Sequence, residues 1–239
     1  MIRLILTVTL IVALLIVGIP IYIVYWIIGK FNINLRHKIS LATIQFAFKL
    51  IMFVCGVKIT VKGKENLPDG PVLYVANHRS IFDIFVGYSQ VDRLTGFVSK
   101  KEVQKYPLVP WWMTLVNCLF LDRSSAKAGL KTILQAIEYE KNGISIFIFP
   151  EGTRSKDGTV AEFKAGSFKI AEKACVPVVP VAFDKTENVF ERQKPYIKSA
   201  RVIMSYGKPI YIDELPKEDK KKVNEMARDA IVKMIEENE

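Results

Sequence analysis

The sequence predicts an α/β body, a mixed sheet flanked by helices, preceded by an N-terminal membrane-embedded helical hairpin. Three observations predict it. Residues 4–29 run for 26 positions without a charge; beyond Lys58 short apolar runs alternate with amphipathic stretches; and polar clusters follow directly on two of those apolar runs. With half of its 239 residues apolar, the chain is far from a disordered composition.

The first segment, LILTVTLIVALLIVGIPIYIVYWIIG, would reach roughly 39 Å as a helix, against a hydrocarbon core of ~30 Å. Gly18 and Pro20 predict a kink or tilt, and Tyr22, Tyr25 and Trp26 gather where amphipathic rings prefer the membrane interface. The run is too long for a cleavable signal peptide, and no small-residue cleavage site follows Ile28. A second apolar stretch, Ile39 to Val57, contains Gln45 and Lys49 and suits a helix lying partly among the lipid head groups. Joined by a basic linker from Lys30 to Lys38, the two form a hairpin over residues 1–57, expected to dip into one leaflet, ahead of an α/β domain over 58–239. Residues 1–60 hold six basic residues and no acid out of a net charge of +10, which points to anionic lipids as the partner surface and ranks nucleic acid last.

Several classes are excluded. Cys55, Cys118 and Cys175 are odd in number and scattered, so a disulfide framework or CxxC metal site is not available, and a reducing, cytosol-facing body follows. With only His37 and His78, no multi-histidine zinc site can be assembled, and no metal is expected. GxG, GxxxxGK[ST] and GxSxG are all missing, which removes the signatures of dinucleotide, P-loop and serine-hydrolase sites.

In the body, strands are expected at Val72 to Ala76, Thr95 to Ser99, Ile144 to Phe149, Val178 to Phe183 and Val202 to Tyr206. Helical stripes occur at Leu130, Ile133, Leu134 and Ile137, and at Val223, Met226, Ala227, Ala230, Ile231 and Met234; these read as core. Pro216 to Lys222 reads as a solvated helix start, and Trp111 and Trp112 as packing or an extension of the membrane-docking surface.

Two clusters carry chemistry. Asn77-His78-Arg79-Ser80-Ile81-Phe82-Asp83 follows the strand ending at Ala76, where α/β folds bind ligands. Five residues is not a same-face helical interval, so His78 belongs on the loop before the turn that carries Asp83. Asp83 can keep one ring nitrogen protonated and leave the other to take a proton, although a lone pair of this kind is more often a surface histidine. Phe149-Pro150-Glu151-Gly152-Thr153-Arg154-Ser155 follows the strand ending at Phe149, and Arg154 could bind phosphate bidentately with the Thr153 hydroxyl assisting. By themselves Glu151 and Arg154 would more often form a surface salt bridge. Between the clusters lie Phe120-Leu121-Asp122-Arg123-Ser124 and the basic pair Lys100 and Lys105; after them Val176-Pro177-Val178-Val179-Pro180-Val181 reads, from its two prolines, as an edge or entry position rather than a catalytic one.

In this order, NHRSIFD, FLDRS, FPEGTRS and VPVVPV resemble the four sequence blocks of the glycerolipid acyltransferase family of HxxxxD type, in particular its bacterial 1-acylglycerol-3-phosphate acyltransferases, which make phosphatidic acid. The resemblance implies that His78 and Asp83 are the catalytic pair, that Arg123, Glu151, Gly152 and Arg154 shape the acceptor site, and that Val176 to Val181 helps bind the acyl donor. It implies acyl transfer from acyl-CoA or acyl carrier protein to a membrane lipid, with no cofactor beyond the thioester co-substrate; from their own chemistry, not from the resemblance, Thr153, Lys100 and Lys105 are expected to support the acceptor phosphate. The expected location is the cell inner membrane, with the catalytic domain facing the cytoplasm. Oxyanion donors are expected from backbone amides near Asn77 to Ser80. The competing functions are a glycerol-3-phosphate or other lyso-lipid acyltransferase, and a non-catalytic anchor for anionic lipid.

Overall fold

A computed structural model describes residues 1–238. Two long helices, α1 (Ile2–Phe31) and α2 (Ile33–Cys55), precede β1 (Val57–Lys62), β2 (Leu73–Ala76), α3 (Phe82–Gln90), β3 (Thr95–Lys100), α4 (Val109–Leu115) and β4 (Leu119–Leu121). There follow α5 (Ala126–Lys141), β5 (Ser145–Ile148), α6 (Lys169–Ala174), β6 (Val178–Asp184), β7 (Ala200–Tyr206) and α7 (Val223–Glu236). The strands make one sheet in the order β1-β7-β6-β2-β5-β3-β4. From β6 to β4 all neighbours are parallel; β7 is antiparallel to β6, and β1 is parallel to β7. The sheet is therefore mixed, as expected.

Both faces are covered, which is why the central strands read as unbroken apolar runs. Tyr74, Ala76, Phe147, Val179 and Phe183 point to one layer, where Ile51 and Met52 of α2 meet Phe82 and Val86 of α3. Leu73, Val75, Ile146, Ile148 and Val178 point to the other, against Ala136 of α5, Ile170 of α6 and Ala227 and Ile231 of α7. The period-two alternation assigns each side chain to a layer.

The hairpin forms, but not with the expected joint. Lys30 to Lys38 is not a linker: Asn32 alone breaks the helices, extended at φ −147°, its side chain accepting the Leu35 amide at 2.9 Å as an N-cap. Arg36, His37 and Lys38 consequently lie in the first turns of α2. Helix α1 also continues through Gly18 and Pro20. Gly18 serves close packing there, since a Cβ would stand 2.9 Å from the Trp112 ring. Gln45 faces the body rather than lipid head groups, donating to the Val91 carbonyl at 2.7 Å and the Tyr88 carbonyl at 3.2 Å and so closing the C-terminal end of α3. Lys49 stays exposed.

Three further expectations in the body change. Strands β1 and β4 add themselves at the two edges of the sheet; β1 pairs on one side only and β4 is three residues long, so neither shows a buried apolar run. The proline-bracketed β6 is not an edge strand but pairs on both sides. Pro180 is tolerated because it falls between the Val178–Ile210 bridge and the ladder that begins at Val181, and its carbonyl still accepts the Gly207 amide at 2.8 Å. On α5, Ile133 and Ile137 pack on the core, whereas Leu130 and Leu134 are exposed; on α7, Met226 is likewise at the rim.

Candidate active site

Because β6, β2, β5, β3 and β4 run parallel, their C-terminal ends lie along one edge of the sheet. From β2 the chain enters α3 on one face; from β5 it proceeds to α6 on the opposite face. Between these neighbouring strands opens the crevice that divergent connections create in α/β sheets. The His78 loop follows β2 and the Glu151 loop follows β5. Since β1 and β7 run the other way, the junction of α2 with β1 stands at this same edge.

Asn77 prolongs the β2–β6 pairing with its side chain: its amide donates to the Phe183 carbonyl at 2.9 Å and its oxygen accepts the Phe183 amide at 2.8 Å. The next residue, freed from the ladder, is His78. Its Nδ1 lies 2.8 Å from Asp83 Oδ2, and its ring stacks on Phe149 at 4.2 Å between centroids. Asp83 sits in the first turn of α3 with no solvent exposure, and there Oδ2 also accepts the Arg79 amide at 2.7 Å and the Ser80 amide at 2.8 Å. The Thr186 hydroxyl donates to Oδ1 at 2.6 Å. Four donors thus converge on this carboxylate at the helix N-terminus. An ionised Asp83 takes the proton on Nδ1, leaving the Nε2 lone pair, without a partner among the described residues, to accept another.

Glu151 is spent on the backbone. One carboxylate oxygen accepts the His78 amide at 2.7 Å and the other the Ala161 amide at 3.1 Å. Burial pushes its pKa up, and those two amide bonds pull it back. With the Ser155 amide donating to the His78 carbonyl at 2.8 Å, the two loops are tied together twice. The amides of residues 78 to 81 are all engaged, by Glu151, Asp83, Asp83 and Glu191 in turn. The expectation of oxyanion donors near Asn77 to Ser80 is therefore corrected for His78, Arg79 and Ser80: a segment that must hold Asp83 and Glu151 has no free N–H at these positions.

Gly152 adopts φ +81°, a left-handed conformation that favours glycine. A Cβ there would come within 3.1 Å of both the Arg123 guanidinium and the Lys164 ammonium, so two cations converge on one point. Arg123 Nη1 donates to the Gly152 carbonyl at 2.9 Å, and neither cation has a carboxylate partner among the described residues. Two like charges held together without a counter-charge suit an anion with several oxygens.

The remaining expected residues are spread along the edge. Arg154 pairs with Glu191 at 3.0 Å, and Glu191 also accepts the Ser80 hydroxyl at 2.5 Å and the Ile81 amide at 2.9 Å. Thr153 is exposed, as are Lys100 at the end of β3 and Lys105 in the turn that follows. It is Lys101, not Lys100, that reaches Asp122, at 2.6 Å, and this bond holds the Asp122 carboxyl well below the usual range. Sequence reasoning missed Lys164, Thr186, Glu191 and the buried pairing of Arg79 with Asp184 at 3.2 Å and Glu187 at 3.6 Å. One signal was available: Lys185-Thr186 follows an apolar strand much as His78 does. No group of three or more metal-ligating side chains is found among the described residues.

Residues 58–184 match the Acyltransferase family. The chain is 29% identical over 214 residues to 1-acyl-sn-glycerol-3-phosphate acyltransferase of Saccharomyces cerevisiae, covering 88% of this chain and 69% of that protein. It is 28% identical over 200 residues to the protein of that name from Borreliella burgdorferi, covering 83% and 80%. Against the chloroplastic BAT2 enzyme of Brassica napus identity is 38% over 159 residues, 64% of this chain and less than half, 45%, of the relative. The crystal structure of the 1-acyl-sn-glycerophosphate acyltransferase PlsC from Thermotoga maritima superposes with a TM-score of 0.81 at 28% identity, covering 99% of this chain and 96% of that one. The family match spans more than half of the chain and contains both the His78 loop and the Glu151 loop, so the protein belongs to the Acyltransferase family.

Proposed function

We propose that this protein transfers a fatty acyl group from a thioester, acyl-CoA or acyl carrier protein, to the sn-2 hydroxyl of 1-acylglycerol-3-phosphate, forming phosphatidic acid. The observation that carries this reading is the His78–Asp83 pair, at 2.8 Å, on the same strand edge as the Arg123 and Lys164 cations, which have no carboxylate partner among the described residues. His78 Nε2 takes the proton of the acceptor hydroxyl as its oxygen attacks the thioester carbonyl. Asp83 stabilises the imidazolium that forms. The tetrahedral intermediate collapses, the C–S bond breaks, and the proton on Nε2 passes to the leaving thiolate, giving an ester and a free thiol. No covalent acyl-enzyme is needed. Arg123 and Lys164 hold the phosphate, with Arg154 contributing from the same loop, and fixing both reactants lowers the entropic part of the barrier.

The hairpin supports a membrane-resident acceptor. Ile5, Val12, Ile16, Ile23 and Ile27 expose one apolar face along α1, while Leu4, Ile11 and Leu14 pack on the core. Body contacts continue to the tip: Trp112 over Gly18, Trp111 5.4 Å from Tyr22, and Asn117 Nδ2 3.3 Å from His37 Nε2. A hairpin crossing the bilayer upright would carry these polar and aromatic body residues into hydrocarbon. Lying in one leaflet, it buries only its free face, with Arg3, Lys30 and Arg36 near head groups. We assign the body to the cytosolic side of the cell inner membrane, where thioester donors arrive.

An in vitro transfer assay tests the reading, using monoacylglycerol phosphate, its dephosphorylated analogue and glycerol-3-phosphate as acceptors and both thioesters as donors. The expected result is ester formation with the monoacyl phosphate, lost in His78→Ala without loss of vesicle binding. Vesicle binding with no transfer to any acceptor would establish an anchor instead.

A further inference from the structure

Asp83 has two oxygens in very different company. Oδ2 collects the His78 ring and the Arg79 and Ser80 amides, whereas Oδ1 has one donor among the described residues, the Thr186 hydroxyl at 2.6 Å. Thr186 and Asp83 are both without solvent exposure, so water cannot replace that hydrogen bond. Thr186 comes from outside the matched residues, in the short turn Thr186–Asn188 directly after β6. Residues in and around this turn grip the His78 loop as well: Asp184, at the end of β6, and Glu187 pair with Arg79, and Glu191 accepts from Ser80 and Ile81.

On the acyl-transfer reading above, we propose that Thr186 is a positioning residue that acts through Asp83. Its hydroxyl satisfies the second carboxylate oxygen and fixes the carboxylate plane, so that Oδ2 points at His78 Nδ1 and stays available to stabilise the imidazolium. It touches neither substrate, so its contribution belongs to kcat and not to binding of acceptor or donor.

The test is steady-state kinetics on the full chain in detergent or vesicles, for Thr186→Val, Thr186→Ser and Asp83→Asn and for Thr186→Val combined with Asp83→Asn. Valine keeps the shape and removes the donor; serine keeps the donor. The expected result is a fall in kcat of about tenfold or more for Thr186→Val with both KM values within about twofold, and recovery to within about threefold of wild type for Thr186→Ser. In the Asp83→Asn background the valine substitution should add less than about a twofold loss, because its target is gone. Should Thr186→Val not fold, Thr186→Ala is measured in its place by the same criteria. Wild-type kcat in the valine variant, a loss in serine as large as in valine, or an undiminished loss in the Asp83→Asn background overturns the inference while leaving the acyltransferase reading intact. A wild-type protein inactive with every acceptor and donor overturns both.

Discussion

Asp83 Oδ2 stands 2.8 Å from His78 Nδ1, and the carboxylate holding that distance is itself pinned by two backbone amides and a hydroxyl. The pairing is thus fixed by the backbone of the β2–α3 connection and by the turn after β6, and not left to two flexible side chains. Asp83→Asn keeps the shape but withdraws the charge that stabilises an imidazolium. Turnover is expected to fall at least about a hundredfold, with the acceptor KM changed by less than about threefold. A raised KM at unchanged kcat would move Asp83 from catalysis into binding.

Arg123 and Lys164 meet at Gly152, with no carboxylate partner among the described residues. Replacing either by alanine should raise the KM for the monoacyl phosphate by about tenfold or more, with donor KM little affected. The dephosphorylated analogue is the control: a comparable loss with it would mean that the two cations support the loop instead of the phosphate.

Among the expected anion ligands Arg154 differs in having a carboxylate partner, Glu191 at 3.0 Å. Arg154→Ala is expected to weaken the phosphate-bearing acceptor far more than the thioester donor. A partly exposed ion pair is worth little to stability, so the melting temperature should scarcely move. Equal losses for acceptors with and without phosphate would make Arg154 a structural partner of Glu191.

Glu140 on α5 is 1% exposed, and neither carboxylate oxygen has a hydrogen-bond partner among the described residues. Burial pushes its pKa up to about 9 from 4.5. The folded protein thus keeps a proton that the unfolded chain releases above the lower value, and Glu140 lowers stability progressively as pH rises between the two. Glu140→Gln removes this titration. At pH ~8.5 the variant should exceed wild type by about 1–3 kcal/mol, the two converging near pH ~4.5. Parallel unfolding curves at both pH values would show that the carboxyl reaches water.

For the hairpin, cysteines placed at Ile2 and Asn32 in a background lacking Cys55, Cys118 and Cys175 are labelled from each side of sealed vesicles. Asn32 is the turn between α1 and α2. The in-leaflet arrangement expects both positions to react from the same side. Reaction from opposite sides would place the tip across the bilayer and remove the argument from Trp112 and Asn117.

How much of this was legible beforehand differs by element. The central strands were, because burial on both faces writes them as unbroken apolar runs, and the uncharged N-terminal segment announced itself by length alone. The edge strands were not: β1 alternates and β4 is too short, so neither carries that signature. Proline in β6 pointed the wrong way, since its tolerance depends on where the β7 ladder begins. The joint of the hairpin was misplaced for a related reason: charge marks a polar stretch, but a single Asn cap is enough to end one helix and start the next.

At the site, chain-local chemistry was in the sequence by itself. His78 and Asp83 are five residues apart and Glu151, Gly152 and Arg154 within four, so strand-end placement and residue type marked them as candidates, and the order of the four blocks implied their roles. What the tertiary structure alone decided is every relationship between distant segments. Glu151 became a brace for the His78 amide across 73 positions, Thr186 the sole donor to Asp83 Oδ1 among the described residues across 103, and Arg154 a partner of Glu191 across 37. The physical reason is that hydrogen bonds act over about 3 Å and leave no periodic trace in the chain. Hydrophobic burial does leave such a trace, and so the sequence determined the layers, while only folding determined which polar groups meet between them.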